Sequence, residues 1–307
     1  MMLHRFLDPK NDVAFKKIFG SEKNKDIVIH FLNDMITFKK QGKIVSVTFL
    51  KTEQDPETIA KKTSLVDVLC KDEKGNIYIV EMQMAKEKGF EKRAQYYASK
   101  AYISQAHKRG KYHQLKEVIF LAISNFIMFP RKKAYKSDHV ILDKEELTND
   151  LKDFSFTFLE LPKFDKDINH LETMTEKWAY FFKNAEETSE DDLAKIIEGD
   201  EVMKRAFSEL NRFSWSDEEL LIYDQAEKYE SAYLASMEQR YDEGVAEGEK
   251  LGLVKGENQG VAKAQLTIAE KMLKMGQPKP LVSKMTGLPL AEVRKIAKDL
   301  KIARGSS

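Results

Sequence analysis

TSLVDVLCKDEKGNIYIVEMQ, residues 63–83, decides the fold of the N-terminal half of this chain. Residues 63–71 and 76–84 have the apolar, β-branched composition of two strands, and residues 72–76 (DEKGN) have the chemistry of a hairpin turn. If the turn centres on Lys74, Asp67 lies directly across from Glu81, whereas a glycine bulge at Gly75 would shift the register by one residue.

The two carboxylates of this hairpin need a physical reason. Side chains alternate along a strand, so Glu81 and Gln83 share one face and Val80 and Met82 share the other. Two carboxylates opposite each other repel and destabilise the hairpin. A hard divalent cation such as Mg²⁺, which one or two carboxylates typically hold, would remove the repulsion. Ion pairs with Lys or Arg from a neighbouring helix would do the same, and spacing alone does not separate these explanations.

The segments around the hairpin predict an α/β unit with a mixed sheet. Residues 118–123 form a continuous apolar run, which is typical of a strand that is buried on both faces. The predicted elements are a helical region over 11–39 with a break at Gly20-Ser21, a strand over 44–50, the two hairpin strands, a helix from about 89 to 109, a strand over 116–126, and strands near 135–142 and 154–161. The order is helix, three strands, helix, strand, and we assign it to a domain spanning 1–165.

From residue 165 onward the pattern is wholly helical, with helices predicted at about 168–184, 201–212 and 216–240. We assign 166–240 to a helical domain, 241–275 to a glycine-repeat helix or linker, and 276–307 to a basic tail. In the repeat, glycines stand four residues apart at positions 244, 248, 252, 256 and 260. Each glycine costs a helix roughly 1 kcal/mol relative to alanine. Pairing with a second helix along the glycine groove, in a homo-oligomer, or a flexible linker would both explain the pattern.

The tail around Thr286-Gly287-Leu288-Pro289 resembles a helix-turn-helix. Seven Lys or Arg and two Asp or Glu lie in 277–307. DNA binding and a small oligomerisation tail are the two interpretations. A second basic stretch runs from Lys92 to Lys116, where seven Lys or Arg stand among tyrosines without one Asp or Glu. Such a surface suits a phosphate backbone, although a solvated helix face is the alternative.

Composition narrows the class of protein. The chain has 51 basic and 50 acidic residues and a net charge of +1, so any case for nucleic acid depends on local charge. The one cysteine, Cys70, excludes an internal disulfide framework and a multi-cysteine zinc site, and its strand position predicts a small buried side chain. We expect a cytoplasmic protein, because the N-terminus lacks the apolar core of a secretory signal and no stretch is apolar enough to span a membrane.

Five ordered motifs resemble one family. They are residues 11–20 (NDVAFKKIFG), 65–68 (LVDV), 79–83 (IVEMQ), 92–100 (KRAQYYASK) and 110–112 (GKY). Together they resemble the recombination-promoting nuclease and transposase family of the PD-(D/E)XK nuclease superfamily, with Gln83 where a lysine is usual. The likeness covers most of the first 130 residues, and the glycine repeat and basic tail are also typical of that family.

The resemblance implies a restriction-endonuclease-like core followed by an all-helical C-terminal region, and a metal-dependent DNA endonuclease linked to recombination or transposition. Asp67 and Glu81 would hold Mg²⁺ or another divalent cation, and Gln83 would orient the attacking water. A neutral amide cannot supply the charge of the usual lysine, so Lys16, Lys62 and Arg93 are candidates to supply it. Asp12 is a candidate further acid.

Each candidate has a structural alternative: Asp12 as a helix cap, Lys16 on a solvated face and Arg93 as an ordinary ion-pair partner. The candidate DNA-binding residues are Lys62, Arg93, Lys100, Lys108 and Arg109. Two other functions stay open. One is a DNA-binding or assembly protein whose nuclease core has decayed, and the other is a purely structural oligomer.

Overall fold

The chain is described by a computed structural model that covers residues 4–38, 42–54, 64–106 and 111–305. It divides into two compact units, Met1–Ser231 and Ala232–Ser307. The described strands are β1 (Val47–Phe49), β2 (Glu53–Gln54), β3 (Ser64–Leu65), β4 (Val68–Asp72), β5 (Ile77–Gln83), β6 (Val118–Ser124), β7 (Lys136–Val140) and β8 (Phe154–Glu160). The described helices are α1 (Asp12–Phe19), α2 (Lys25–Met35), α3 (Phe90–Ile103), α4 (Met174–Asn184), α5 (Glu190–Ile197), α6 (Glu201–Glu209), α7 (Asp217–Lys274), α8 (Lys279–Thr286) and α9 (Leu290–Gly305).

The first unit is built on a mixed sheet, as predicted. Its strand order is β1-β4-β5-β6-β8-β7. Strand β6 runs parallel to both β5 and β8, and the other pairs in this sheet are antiparallel. Every residue of β6 is buried, which confirms the prediction of a strand covered on both faces. The carboxyl ends of β5, β6 and β8 therefore meet at one edge of the sheet.

The hairpin has the predicted register. Val68 pairs with Val80 and Leu69 with Ile79, so the extension of the ladder sets Asp67 opposite Glu81. Gly75 takes a positive φ of 88° in the turn but does not shift the pairing. The buried Asp72 carboxylate holds the turn closed by accepting a hydrogen bond from the Asn76 backbone N–H at 2.8 Å.

Several predicted element bounds were wrong, and two of them lie close to the hairpin. The strand over 63–71 is interrupted at residues 66–67, because the Met82 N–H donates to the Asp67 carboxylate at 2.8 Å instead of to a backbone carbonyl. Helix α3 ends at Ile103 rather than near 109. There the Gln105 side chain bonds both backbone groups of Lys116, which ties the helix end to the start of β6. The predicted stop at Gly110 lies outside the described residues.

Helices cover both faces of the sheet. On one face, α1, α2, α4 and α6 bury a large apolar core that includes Val80 and Met82. On the other face, α3 packs over Ile77 and Ile79 of β5. Cys70 is fully buried in the first core, and burial raises the pKa of its thiol to about 12, which fits the predicted inert side chain. Glu81 and Gln83 lie on the α3 face, since they share the parity of Ile79.

The second unit contains the glycine repeat. Helix α7 continues through all five glycines, and a Cβ added at any of them would meet no atom within 4 Å apart from the nearby backbone of the helix itself. Self-association along this helix stays a prediction. The C-terminal end of α7 packs on helices α8 and α9 around Ala269, Val282 and Val293. Gly287 makes the turn between α8 and α9 at a φ of 74°. The finer domain bounds at 165, 240 and 275 also stay predictions. None of the described helices is long and apolar enough to cross a membrane.

Candidate active site

The candidate site lies at the carboxyl end of β5, beneath the first turns of α3. Glu81 points from the strand into this face and is only 3% exposed. Asp67 lies just before β4, opposite Glu81, and is partly buried. The Asp67 N–H donates to Glu81 Oε1 at 3.3 Å, and the Met82 N–H donates to Asp67 Oδ2 at 2.8 Å. Each acid thus accepts a hydrogen bond from a backbone N–H of the neighbouring segment. These two hydrogen bonds hold the two carboxyl groups close to each other.

Electrostatics make this pair costly. Burial raises the pKa of Glu81, and the charge of Asp67 raises it further. Burial likewise raises the pKa of Asp67, with a further increase from the nearby Asp12 carboxylate. Neither acid makes an ion pair of 4 Å or less with a cation in the described part of the chain. Pairs of carboxyl groups whose environment disfavours their ionisation are concentrated at functional sites.

Gln83 and Arg93 form a bridge beside the pair. The Gln83 amide nitrogen donates to Glu81 Oε2 at 3.1 Å, and the Gln83 amide oxygen accepts a hydrogen bond from the Arg93 guanidinium. Arg93 also pairs with Glu87 and lies 4.9 Å from the centre of the Phe90 ring. Its Nε is buried without an acceptor among the described residues. The guanidinium lowers the pKa of both Asp67 and Glu81, so it supplies positive charge to the site.

Asp12 and Lys16 lie on α1 and reach the site only through their charge. They form an ion pair with each other at 2.6 Å. Their electrostatic effects on the pKa of Asp67 are opposite, as Asp12 raises it and Lys16 lowers it. Asp12 is not the helix cap, because the side chain of the preceding Asn11 accepts the capping hydrogen bond from the Val13 N–H.

The structure describes two of the five candidate DNA-binding residues, and these two lie in different surroundings. Arg93 points to the carboxylate site, whereas Lys100 is partly buried farther along α3, 6.0 Å from the centre of the Tyr96 ring. Lys62, Lys108 and Arg109 lie outside the described residues.

The donor set fits a hard divalent cation. Across the described ranges, no three His, Cys, Asp or Glu side chains cluster in a way that could hold a metal ion. The site therefore offers two carboxylates and no soft ligand. Mg²⁺ suits such a site because it keeps several waters and typically binds one or two carboxylates together with phosphate oxygens. A zinc site, which needs three or four nitrogen or sulfur-rich ligands, does not fit.

Two features near the site were not found by sequence reasoning. Glu160 ends β8 at the same edge of the sheet and is 1% exposed. Burial raises the pKa of the half-buried Tyr97 on α3, and the charges of Arg93, Glu81 and Asp67 also act on it. A polar residue at the carboxyl end of a buried strand was the available signal for Glu160, and it is the same signal that marks Glu81.

Comparison with known protein families matches residues 9–239 to the PD-(D/E)XK nuclease family transposase. The match spans well over half of the 307 residues, so this chain belongs to that family, and its α/β fold is of the PD-(D/E)XK type. The family indicates a role of the nuclease or transposase kind, with DNA as the implied substrate and divalent cations as the typical cofactor. No curated protein and no solved structure matched the chain.

Proposed function

We propose that this protein is a Mg²⁺-dependent DNA endonuclease that acts in recombination or transposition. The observation that carries the proposal is the buried pair Asp67 and Glu81, two facing carboxylates with no ion-pair partner among the described residues. Such a pair is unfavourable for folding alone. A bound divalent cation offsets that cost, and the family match supplies the chemical context.

In this proposal Asp67 and Glu81 hold the metal ion. When bound, the ion supplies Lewis-acid polarisation of the scissile phosphate and lowers the pKa of a water molecule. The bridge from Glu81 through Gln83 to Arg93 fixes the orientation of the Gln83 amide, with its nitrogen toward the acids. Arg93 contributes the positive charge that the amide lacks. Asp12 and Lys16 tune the charge of Asp67 from α1.

The first test is plasmid cleavage in the presence of Mg²⁺. We expect Glu81→Gln and Asp67→Asn to lower the cleavage rate about a hundredfold or more, because each removes a metal ligand. Glu91→Gln is the matched control, since Glu91 is an exposed acid on the first turn of α3. It should cut like the wild type.

A second readout separates metal binding from catalysis. Mg²⁺ should raise the melting temperature of the wild type and of Glu91→Gln, but not of Glu81→Gln. Equal cutting by all variants would overturn the proposal. DNA binding without cutting under several divalent metals would instead favour the alternative of a decayed nuclease.

A further inference from the structure

The segment 125–135, which we call the β6–β7 loop, begins directly beside the candidate site. It follows the carboxyl end of β6, and the Asn125 N–H donates to the Gln83 backbone carbonyl at 2.9 Å. Since β5, β6 and β8 are parallel, the loop crosses the same edge of the sheet that carries Glu81.

The loop also lies on the same face of the sheet as the site. The Phe126 ring packs edge-on against Phe90 at the start of α3, with ring centres 6.5 Å apart. Phe129 packs against Phe158 of β8 at 5.2 Å. Both phenylalanines join the apolar cluster under α3, to which Ile79 belongs. Sharing both the edge and the face, the loop borders the surface on which a substrate would reach Glu81.

A buried anchor fixes the base of the loop. Glu160 accepts hydrogen bonds from the backbone N–H groups of Met128 at 2.5 Å and Phe129 at 2.7 Å. Lys163 pairs with Glu160 and donates to the Phe129 carbonyl at 2.8 Å. Backbone held at both its donor and acceptor groups has little freedom, so the residues that follow Phe129 have a fixed starting point.

The anchored loop presents cations. Arg131, Lys132 and Lys133 follow in sequence and are exposed, and residues 125–135 contain no Asp or Glu. Lys132 contacts His139 at 3.1 Å and lies 5.0 Å from the centre of the Phe129 ring. Arg131 and Lys133 make no ion pair with the residues that the structure describes. Their positive charges are thus free to neutralise an anion.

We propose that the β6–β7 loop binds the phosphate backbone of the DNA substrate through Arg131 and Lys133. This inference rests on the proposed nuclease function and adds the direction in which the DNA runs across the sheet. The loop base lies two to three strands from β5, or about 10–15 Å at ordinary strand spacing. With a rise of about 3.4 Å per nucleotide, the contacted phosphates lie about three to four nucleotides from the scissile bond.

The test measures the salt dependence of DNA binding by the full chain without divalent cations, using a short fluorescein-labelled duplex and fluorescence anisotropy. Each phosphate contact contributes about 0.9 to the slope of log affinity against log salt. We expect the double variant Arg131→Ala/Lys133→Ala to lower that slope by about 1.8 and to weaken binding several-fold at moderate salt. Its melting temperature should match that of the wild type, because both side chains are exposed.

The matched control is Lys144→Ala/Lys152→Ala. These exposed lysines lie between β7 and β8 at the opposite end of the sheet, and neither pairs with an acid in the described ranges. The control changes the net charge equally and should leave the slope unchanged. An unchanged slope in the loop variant, or equal losses in both variants, would overturn the loop proposal while wild-type binding and cleavage still upheld the nuclease. A wild type that neither binds DNA in this assay nor cuts plasmid with Mg²⁺ would defeat both.

Discussion

Glu81 and Glu160 are two buried glutamates at the same edge of one sheet, and they differ in how their charge is compensated. Gln83 pairs with Ser124 and Ser124 with Glu160, so Glu160 lies in the same row as Gln83 and on the same face as Glu81. Glu160 has a lysine partner and two backbone donors. Glu81 has weaker neutral donors and faces another acid. A buried carboxylate that has its own cation fits a structural role, whereas a buried carboxylate that faces another carboxylate fits a role in binding a metal cation.

The largest expected effect is the loss of the Glu160 anchor. Glu160→Ala should lower the free energy of unfolding by about 3–5 kcal/mol, because it leaves Lys163 buried without its partner. Urea unfolding monitored by fluorescence measures this change. A loss below about 1 kcal/mol would place Glu160 in the same class as Glu81 and break the comparison.

A smaller effect of opposite sign is expected for Glu81→Gln. The amide keeps the shape of the side chain and removes the repulsion with Asp67, so the free energy of unfolding without divalent cations should rise by about 1 kcal/mol. The same urea measurement applies, with Glu91→Gln as the exposed control. Destabilisation as large as that of Glu160→Ala would mean that the Glu81 charge is needed for folding rather than for a ligand.

The last expected effect is a pH trend of similar size. Because burial raises the pKa values of Asp67 and Glu81, the folded protein holds protons there that the unfolded chain has lost above about pH 4. This contribution to stability is therefore present at low pH and is lost as the pH rises through the folded pKa values. The wild type should lose stability relative to Glu81→Gln between about pH 5 and about pH 8 by about 1 kcal/mol.

Melting curves at several pH values, recorded with and without Mg²⁺, test this trend. Mg²⁺ should stabilise the wild type more at the higher pH, since ligand carboxyl groups must be deprotonated to bind a metal. A difference between the two proteins that does not vary with pH would contradict the raised pKa values.

Local patterning was enough to predict the sheet and the facing acids. A turn centred on Lys74 gives the observed register, and alternation places Glu81 and Gln83 on one face; both depend only on residues within the hairpin. The break at Asp67 was missed because its side chain replaces a backbone acceptor, which alternation does not encode. The Glu160 anchor was missed for a different reason. Its partners Met128 and Phe129 are about thirty residues away in sequence, and only the parallel order of β6 and β8 brings them together.

The bridge through Gln83 also predicts that two positions, 83 and 93, vary together across the family. An amide has one donor end and one acceptor end, so it can join a carboxylate to a guanidinium without adding charge. A lysine at position 83 would satisfy Glu81 but would stand against Arg93 as a like charge. Relatives with lysine at position 83 on the strand are therefore expected to carry an uncharged residue at position 93 on the helix. Co-variation of these two positions would show whether the positive side chain of each relative lies on the strand or on the helix.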